Sequence, residues 1–299
     1  MKKLIYLGLI LLIAACDKID NPIPVVEGEV GDDCPVPTFA PNTSTKRNIL
    51  VEDFTGHFCN NCPSAAYSID TIKKNIGKQI IPVAIHVTAQ FAAPQSAEAP
   101  KFQSDYRTPG GTEIKNSLAP AAGLPAVMVS RKDGFTGSTG RLNVFLSSLS
   151  ANVRSLISDV PKVKLQTLST FDPATNRVCA FAEVEIMDNL AEDHSLVFML
   201  LEDSVVDWQL YNNNGGDPIY AGINKIPNYV HKHMLRKSMN GWQGKKIIEA
   251  GATAIGDKIV EGATFVITDG SWRTDHLEIV AFVYNNTTKE VIQAYSEKL

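Results

Sequence analysis

The pattern of apolar and polar positions changes its period partway along the chain. From Asn48 to Phe54 the residues N-I-L-V-E-D-F are mostly apolar, which predicts a largely buried strand. Ala65, Ile69, Ile72 and Ile76 then recur at helical spacing over Ser64 to Gly77, with Pro63 suited to a first turn and Gly77 to a stop. Gln79 to Val87 predicts a second strand, in which Pro82 must sit at an edge, at the start or at a bulge because it has no N–H. Together these segments make a β-α-β unit with parallel strands and a right-handed crossover. Thr88 to about Leu118 is rich in Ala, Pro, Ser and Gly and reads as a surface insertion with short helical turns. A strand over Ala126 to Ser130 follows. Leu142, Phe145, Leu146, Leu149, Val153 and Leu156 then predict an amphipathic helix over Arg141 to Ile157.

After Pro161 the period drops to two. Val163-Leu165-Thr167, Val178 to Ile186, Leu196-Phe198-Leu200, Phe265-Ile267 and Leu277 to Val283 alternate with polar neighbours, and Glu290 to Ser296 closes a final hairpin. Short strands separated by turns predict an antiparallel all-β sandwich. Asp203 to Thr264 breaks the alternation and reads as an elaborate loop region, with a glycine-rich turn at Asn212 to Asp217. The expected organisation is an α/β domain at about 46–160, with its insertion at about 88–118, and a β-sandwich domain at 161–299.

The N-terminus carries an address rather than a fold. Lys2 and Lys3 precede the apolar run Leu4 to Ile13, which is too short to span a bilayer, and Ala14-Ala15 lead into Cys16. Ile13-Ala14-Ala15-Cys16 resembles a bacterial lipobox, which implies a signal peptide over 1–15, cleavage before Cys16 and acylation there. The expected partner is therefore a membrane, reached through the N-terminal lipid. Residues 16–45, interrupted by Pro22, Pro24, Pro35, Pro37 and Pro41, read as a semi-extended tether. The formal charge of the 299-residue chain is −4, and loss of Lys2 and Lys3 makes it more negative. Without a polybasic footprint, nucleic acid is not an expected partner.

Export matters to the cysteines, because disulfides persist outside the cytoplasm. Cys59-Asn60-Asn61-Cys62 places two sulfurs where a helix is expected to begin, and the helix N-terminus favours a thiolate at Cys59. A zinc site would call for a second such pair, which the sequence lacks, so neither metal nor cofactor is expected. A redox dithiol and an inert local disulfide both remain open. His57, two residues before Cys59, would stabilise a thiolate if protonated, or else is a solvated loop histidine. His231 and His233 alternate as on a strand and would share a face, as metal ligands or as ordinary histidines. For Cys34 and Cys179 the readings are a disulfide from tether to β domain, or a small buried apolar side chain at Cys179.

Asp53-Phe54 at the strand end, Phe58 before Cys59, the helix after Cys62 and Gly123-Leu124-Pro125 before a strand together resemble the thioredoxin superfamily. The resemblance implies a thioredoxin-like domain with Cys59 as an exposed nucleophile, Cys62 as its resolving partner and Asp53 as proton acceptor. It further implies a cis-proline at Pro125, whose backbone, with Leu124 before it, pairs with an extended protein or peptide substrate. Phe58 in place of a tryptophan, Asn60-Asn61, Pro63 and the long insertion depart from the thioredoxin pattern. The lipoprotein signal, E-D-F-T-G-x-x-C-x-x-C-P, Tyr229 to Arg236 and Ala281-Phe282-Val283-Tyr284 also resemble the outer-membrane-protein-28-related lipoproteins of Gram-negative bacteria. That likeness covers about residues 45 to 299 and implies a lipid-anchored protein of the outer membrane or cell surface. Two functions follow as expectations: thiol-disulfide exchange on exported proteins, or non-enzymatic binding or adhesion with the cysteine pair as a staple.

Overall fold

The computed structural model describes residues 30–31, 33–135, 137–143, 146–212 and 217–299. The expected signal peptide, Cys16 and the first part of the tether lie outside the described residues, as do Phe145 and most of the glycine-rich turn.

Strand β1 (Ile49–Thr55) is buried along its whole length, which explains its nearly continuous apolar run. Ile49 and Val51 face helix α1 (Cys62–Ile76), whose Ala65, Ile69 and Ile72 meet them in one core, while Leu50 and Phe54 point to the other side of the sheet. α1 stops at Gly77, whose φ of 94° suits a residue without a Cβ. Strand β2 (Ile80–His86) then pairs parallel to β1, beginning with Ile49 opposite Ile80. Pro82 is tolerated inside β2 because its nitrogen faces the same side as that of Ala84, where the next strand pairs at Ala84 alone.

The expected insertion contains helices α2 (Ala89–Ala92) and α3 (Pro109–Leu118), the latter capped by Thr108, whose hydroxyl accepts from the Gly111 N–H. Strand β3 (Ala126–Val129) lies antiparallel to β1, and short strands β4 (Ser138–Thr139) and β5 (Leu142–Asn143) extend that edge. Helix α4 (Leu146–Ile157) begins five residues after the expected Arg141, because Leu142 and Asn143 are taken up in pairing with β3.

The second half supplies β6 (Val163–Asp172), β7 (Arg177–Ile186), β8 (His194–Glu202), β9 (Val205–Leu210) and β10 (Lys225–His231). It continues with β11 (Met234–Ser238), β12 (Lys245–Ile248), β13 (Lys258–Val266), β14 (Leu277–Asn285) and β15 (Val291–Lys298). The segment expected to be a loop region, Asp203 to Thr264, thus holds four complete strands and most of a fifth. β9 and β10 escape a period-two reading because they form a separate two-stranded ribbon with a register shift and mixed burial.

One ten-stranded sheet runs β15-β14-β8-β11-β2-β1-β3-β5-β4, with β12 also on β8. Its parallel join of β11 to β2 crosses the expected boundary at residues 160 and 161, so both halves of the sequence share this sheet. The sheet also curls: the Val291 N–H donates to the Ser130 carbonyl at 2.8 Å, bringing β15 back towards the end of β3. Inside the curl, Leu50, Phe54, Ile81, Val83 and Met128 meet Val197, Met199, Leu201, Val280 and Phe282 in one core. The outer face of β1-β2-β3 packs on α1 and α4, and that of β8 and β14 on a three-stranded sheet β13-β7-β6. The protein is therefore a mixed α/β structure, mostly strands, with face-to-face sheets in its second half.

An ion pair is buried among these strands. Arg131 grips Glu52 through Nε at 2.9 Å and a terminal nitrogen at 2.7 Å, both side chains are 0 % exposed, and the guanidinium lies 4.8 Å from the Phe282 ring. The last part of the expected tether is fastened down rather than free. Cys34 is disulfide-bonded to Cys179, Asn42 donates to the Leu165 carbonyl, and Gln166 donates to that of Ala40. Closing a loop of 145 residues, this disulfide removes chain entropy worth ~5 kcal/mol from the unfolded state.

Candidate functional site

β1 delivers the chain into a tight loop. At Gly56 an added Cβ would stand 2.5 Å from the Phe91 carbonyl oxygen, so only glycine allows this approach, and the Phe58 N–H donates to that same oxygen at 2.9 Å. Cys59 and Cys62 form a disulfide with Cα atoms 5.5 Å apart. α1 begins at Cys62, not at Cys59, so the first cysteine lies in the loop rather than on the first helical turn.

The pair is covered. Cys59 is 2 % and Cys62 1 % exposed, whereas the resemblance drawn from the sequence implies an exposed Cys59. The cover is β9 and the residues after it, which follow the loop as an added strand would. The Leu210 N–H donates to the His57 carbonyl at 2.8 Å, and the Asn212 N–H to that of Asn60 at 2.9 Å. The Gln209 amide, itself buried, donates to the Cys59 carbonyl at 3.0 Å and the Gly56 carbonyl at 3.4 Å. The Asn212 side chain reaches that of Asn61. This cover comes from the region whose pattern reads as loop, so the cysteine spacing alone gives no sign of it.

Asp53 faces the α1 side of β1, only 4 % exposed, and its Oδ1 has no hydrogen-bond partner. Burial raises its pKa from the usual carboxylate range to about 7. It lines a cavity of about 30 Å³ with Cys62, Thr55, His86, Gln209 and His231, and also borders a larger cavity of about 250 Å³. The Leu124–Pro125 peptide is cis, and pairing of Ala126 with Phe54 sets Pro125 at the same end of the sheet as the cysteine loop. Leu124 packs against the core inside the curl.

The histidines part company with their sequence-based readings. His57 is fully buried, with Nε2 3.1 Å from the Ala93 carbonyl and its ring edge-on to Phe102 and Tyr106. Burial pushes its pKa down, so it stands neutral rather than as a solvated or cationic neighbour of Cys59. His231 and His233 do not share a face, because β10 ends at His231 and His233 takes a left-handed φ of 50°. His231 is buried against His86, Tyr106 and Tyr229, and burial pushes its pKa down to about 4. His233 instead meets Glu278 at 3.1 Å. The histidine and tyrosine cluster behind the disulfide is not legible in the pattern, apart from the polar His86 ending the apolar run of β2. Among the described residues, no group of three or more His, Cys, Asp or Glu is arranged to hold a metal.

Residues 116–299 match the family of outer membrane protein Omp28. That span includes Leu124, Pro125 and the covering β9, but not Cys59 or Cys62. No curated protein matches the chain. Among solved structures, an Agrobacterium tumefaciens protein is similar over 86 % of this chain and 95 % of its own, at 12 % identity and a TM-score of 0.44. A domain of the outer membrane lipoprotein Omp28 from Porphyromonas gingivalis is similar over 47 % of this chain and 90 % of its own, at 17 % identity and a TM-score of 0.31. With well over half of its residues matched by the family, the chain belongs to the outer membrane protein Omp28 family, and its location is the outer membrane.

Proposed function

We propose that this chain is a non-enzymatic binding protein of the outer membrane, in which Cys59–Cys62 is a structural disulfide. In this reading residues 46–160 are a thioredoxin-like unit used as a scaffold, signal residues 1–15 are removed, and Cys16 carries the lipid. The observation that carries it is the burial of both cysteines under β9, since exchange needs a sulfur that an incoming thiolate or disulfide can reach. The covering bonds come mainly from the backbone of β9 and the buried amide of Gln209.

A second reading, thiol-disulfide exchange on exported proteins, draws support from Asp53, whose unpartnered oxygen shares a small cavity with Cys62. There an external dithiol first reduces Cys59–Cys62, leaving as its own disulfide, and the Cys59 thiolate then attacks a substrate disulfide, expels one substrate thiolate and forms a mixed disulfide. Cys62, giving its proton to the Asp53 carboxylate, then attacks the Cys59 sulfur, releases the second substrate thiolate and restores Cys59–Cys62. Pro125 and Leu124 would position the substrate, and β9 would have to lift. A Cys62→Ser variant of the full lipidated chain separates the two readings. The structural reading expects no mixed disulfides through Cys59 and no disulfide reductase activity; their accumulation on envelope proteins would overturn it.

A further inference from the structure

Neither cysteine lines the cavity of about 250 Å³ between α1, β2 and β10, although it adjoins the small cavity at Cys62 and shares Asp53, Pro63, Ala66, Ala84, Tyr229 and Lys232 with it. Its wall carries three tyrosines, Tyr67 from α1, Tyr229 from β10, and Tyr220 from the short turn preceding β10. The Tyr220 and Tyr229 ring centroids are 5.4 Å apart and tilted by 43°, so two aromatic faces meet at an angle. Such walls hold a soft cation through the negative faces of the rings, more strongly where water is excluded.

The charges lining the cavity point the same way. Lys232 is already paired with Asp70, and His233 with Glu278. Asp217 has one oxygen engaged by the Ile219 N–H, and Asp53, buried and with Oδ1 unpartnered, borders the cavity. Beyond the pairs already formed, the lining thus holds two acidic side chains, Asp53 and Asp217. Ionised, Asp53 is costly in this buried place with no positive charge beside it, so burial favours its protonated form, and a cation bound in the cavity would draw it into the carboxylate form.

We propose that this cavity is a binding site for an alkylammonium group, a trimethylammonium or similar cation, caged by Tyr67, Tyr220 and Tyr229 and balanced by Asp53 and Asp217. The site deepens the binding-protein reading and names its ligand class. It rests on that reading for its biological meaning but not for its geometry.

Choline is the probe, and 3,3-dimethyl-1-butanol, of the same shape without the charge, is its control. Calorimetry on the full chain is expected to give saturable choline binding at least about tenfold tighter than binding of the neutral alcohol. Tyr67 and Tyr220 are partly exposed, so Tyr67→Leu and Tyr220→Leu leave the fold intact and weaken choline several-fold, while Tyr220→Phe, which keeps the ring, retains binding. Phosphatidylcholine vesicles distinguish the source of the cation: capture that depends on Tyr220 assigns a lipid headgroup, and choline binding without vesicle capture assigns a free small molecule. Equal affinity for choline and the alcohol, no saturable heat at millimolar choline, or leucine variants that bind like the parent would overturn the proposal. The Cys62→Ser trapping experiment reports independently. If choline fails to bind and no mixed disulfides form, only the cage is lost; if choline binds and mixed disulfides accumulate, only the structural-disulfide reading is lost.

Discussion

Gln209 tests whether β9 is what keeps the disulfide out of reach. Its amide is buried and donates to the Cys59 and Gly56 carbonyls at 3.0 and 3.4 Å. Gln209→Ala removes both bonds to the loop, together with a third that the amide makes to the Leu210 carbonyl within β9 itself at 2.8 Å. Each loop carbonyl keeps one backbone partner, because the Cys62 N–H also donates to Cys59 and the Cys59 N–H to Gly56. Between β9 and the loop the loss is therefore that of two ordinary hydrogen bonds, one of them long, or about 1.5 kcal/mol, the Leu210 bond joining β9 only to itself. If reduction proceeds through lifting of β9, the open population rises by that amount, and reduction of Cys59–Cys62 by a small phosphine accelerates about tenfold. The assay is the pseudo-first-order rate of thiol appearance, resolved between the two disulfides by alkylation and mass spectrometry. Cys34–Cys179, on β7 and remote from β9 in the sheet order, serves as the internal control and should keep its rate. An unchanged rate at Cys59–Cys62 would refute the gating argument. Equal acceleration of both disulfides would refute it too, since that is the signature of global unfolding.

Two further outcomes follow from buried charge. Glu52→Gln or Arg131→Met alone leaves one charge unpaired among the strands and should cost about 3 to 5 kcal/mol in urea denaturation, whereas Glu52→Leu combined with Arg131→Met should recover most of that loss; single variants costing under about 1 kcal/mol would contradict it. Asp53 holds its proton more tightly folded than unfolded, so its contribution is most favourable below about pH 4 and is lost as pH rises to about 7, on the order of 4 kcal/mol across the window. His231 acts oppositely, losing stability as pH falls from about 6.5 to about 4 because only the unfolded chain then takes the proton. Stability measured for Asp53→Asn against the parent at pH 4 and pH 8 should therefore diverge in the variant's favour at the higher pH, and divergence in the other direction would show that Asp53 is not buried as a neutral acid.

Much of the fold was legible because its signals are local. Ile69 and Ile72 at helical spacing, Gly77 as a stop and the apolar runs before and after them state a β-α-β unit with no reference to the rest of the chain. The alternation in β6 is equally self-contained, since that strand carries one buried face, whereas β8 and β14, expected to alternate, are buried on both faces and show nearly continuous apolar runs. β9 and β10 were not legible, because a ribbon lying over a loop, half exposed and with a register shift, need not alternate. The join of β11 to β2 was hidden for a related reason: it is a single parallel register point at Met234 and Ala84, and neither residue bears a mark of it.

The sequence by itself determined that Cys59 and Cys62 follow a strand and lead into a helix, and that Asp53 lies near the end of that strand. Spacing and composition suffice for these, because each depends on residues near one another in the chain. Only the tertiary structure decided that the pair is covered, that His57 is neutral, and that three tyrosines, Asp53 and Asp217 border one cavity. Those properties arise from contacts between segments roughly 150 residues apart, such as Gln209 on Cys59. Exposure, pKa and charge balance depend on what the rest of the chain brings against a residue, and no local pattern of residue types encodes that.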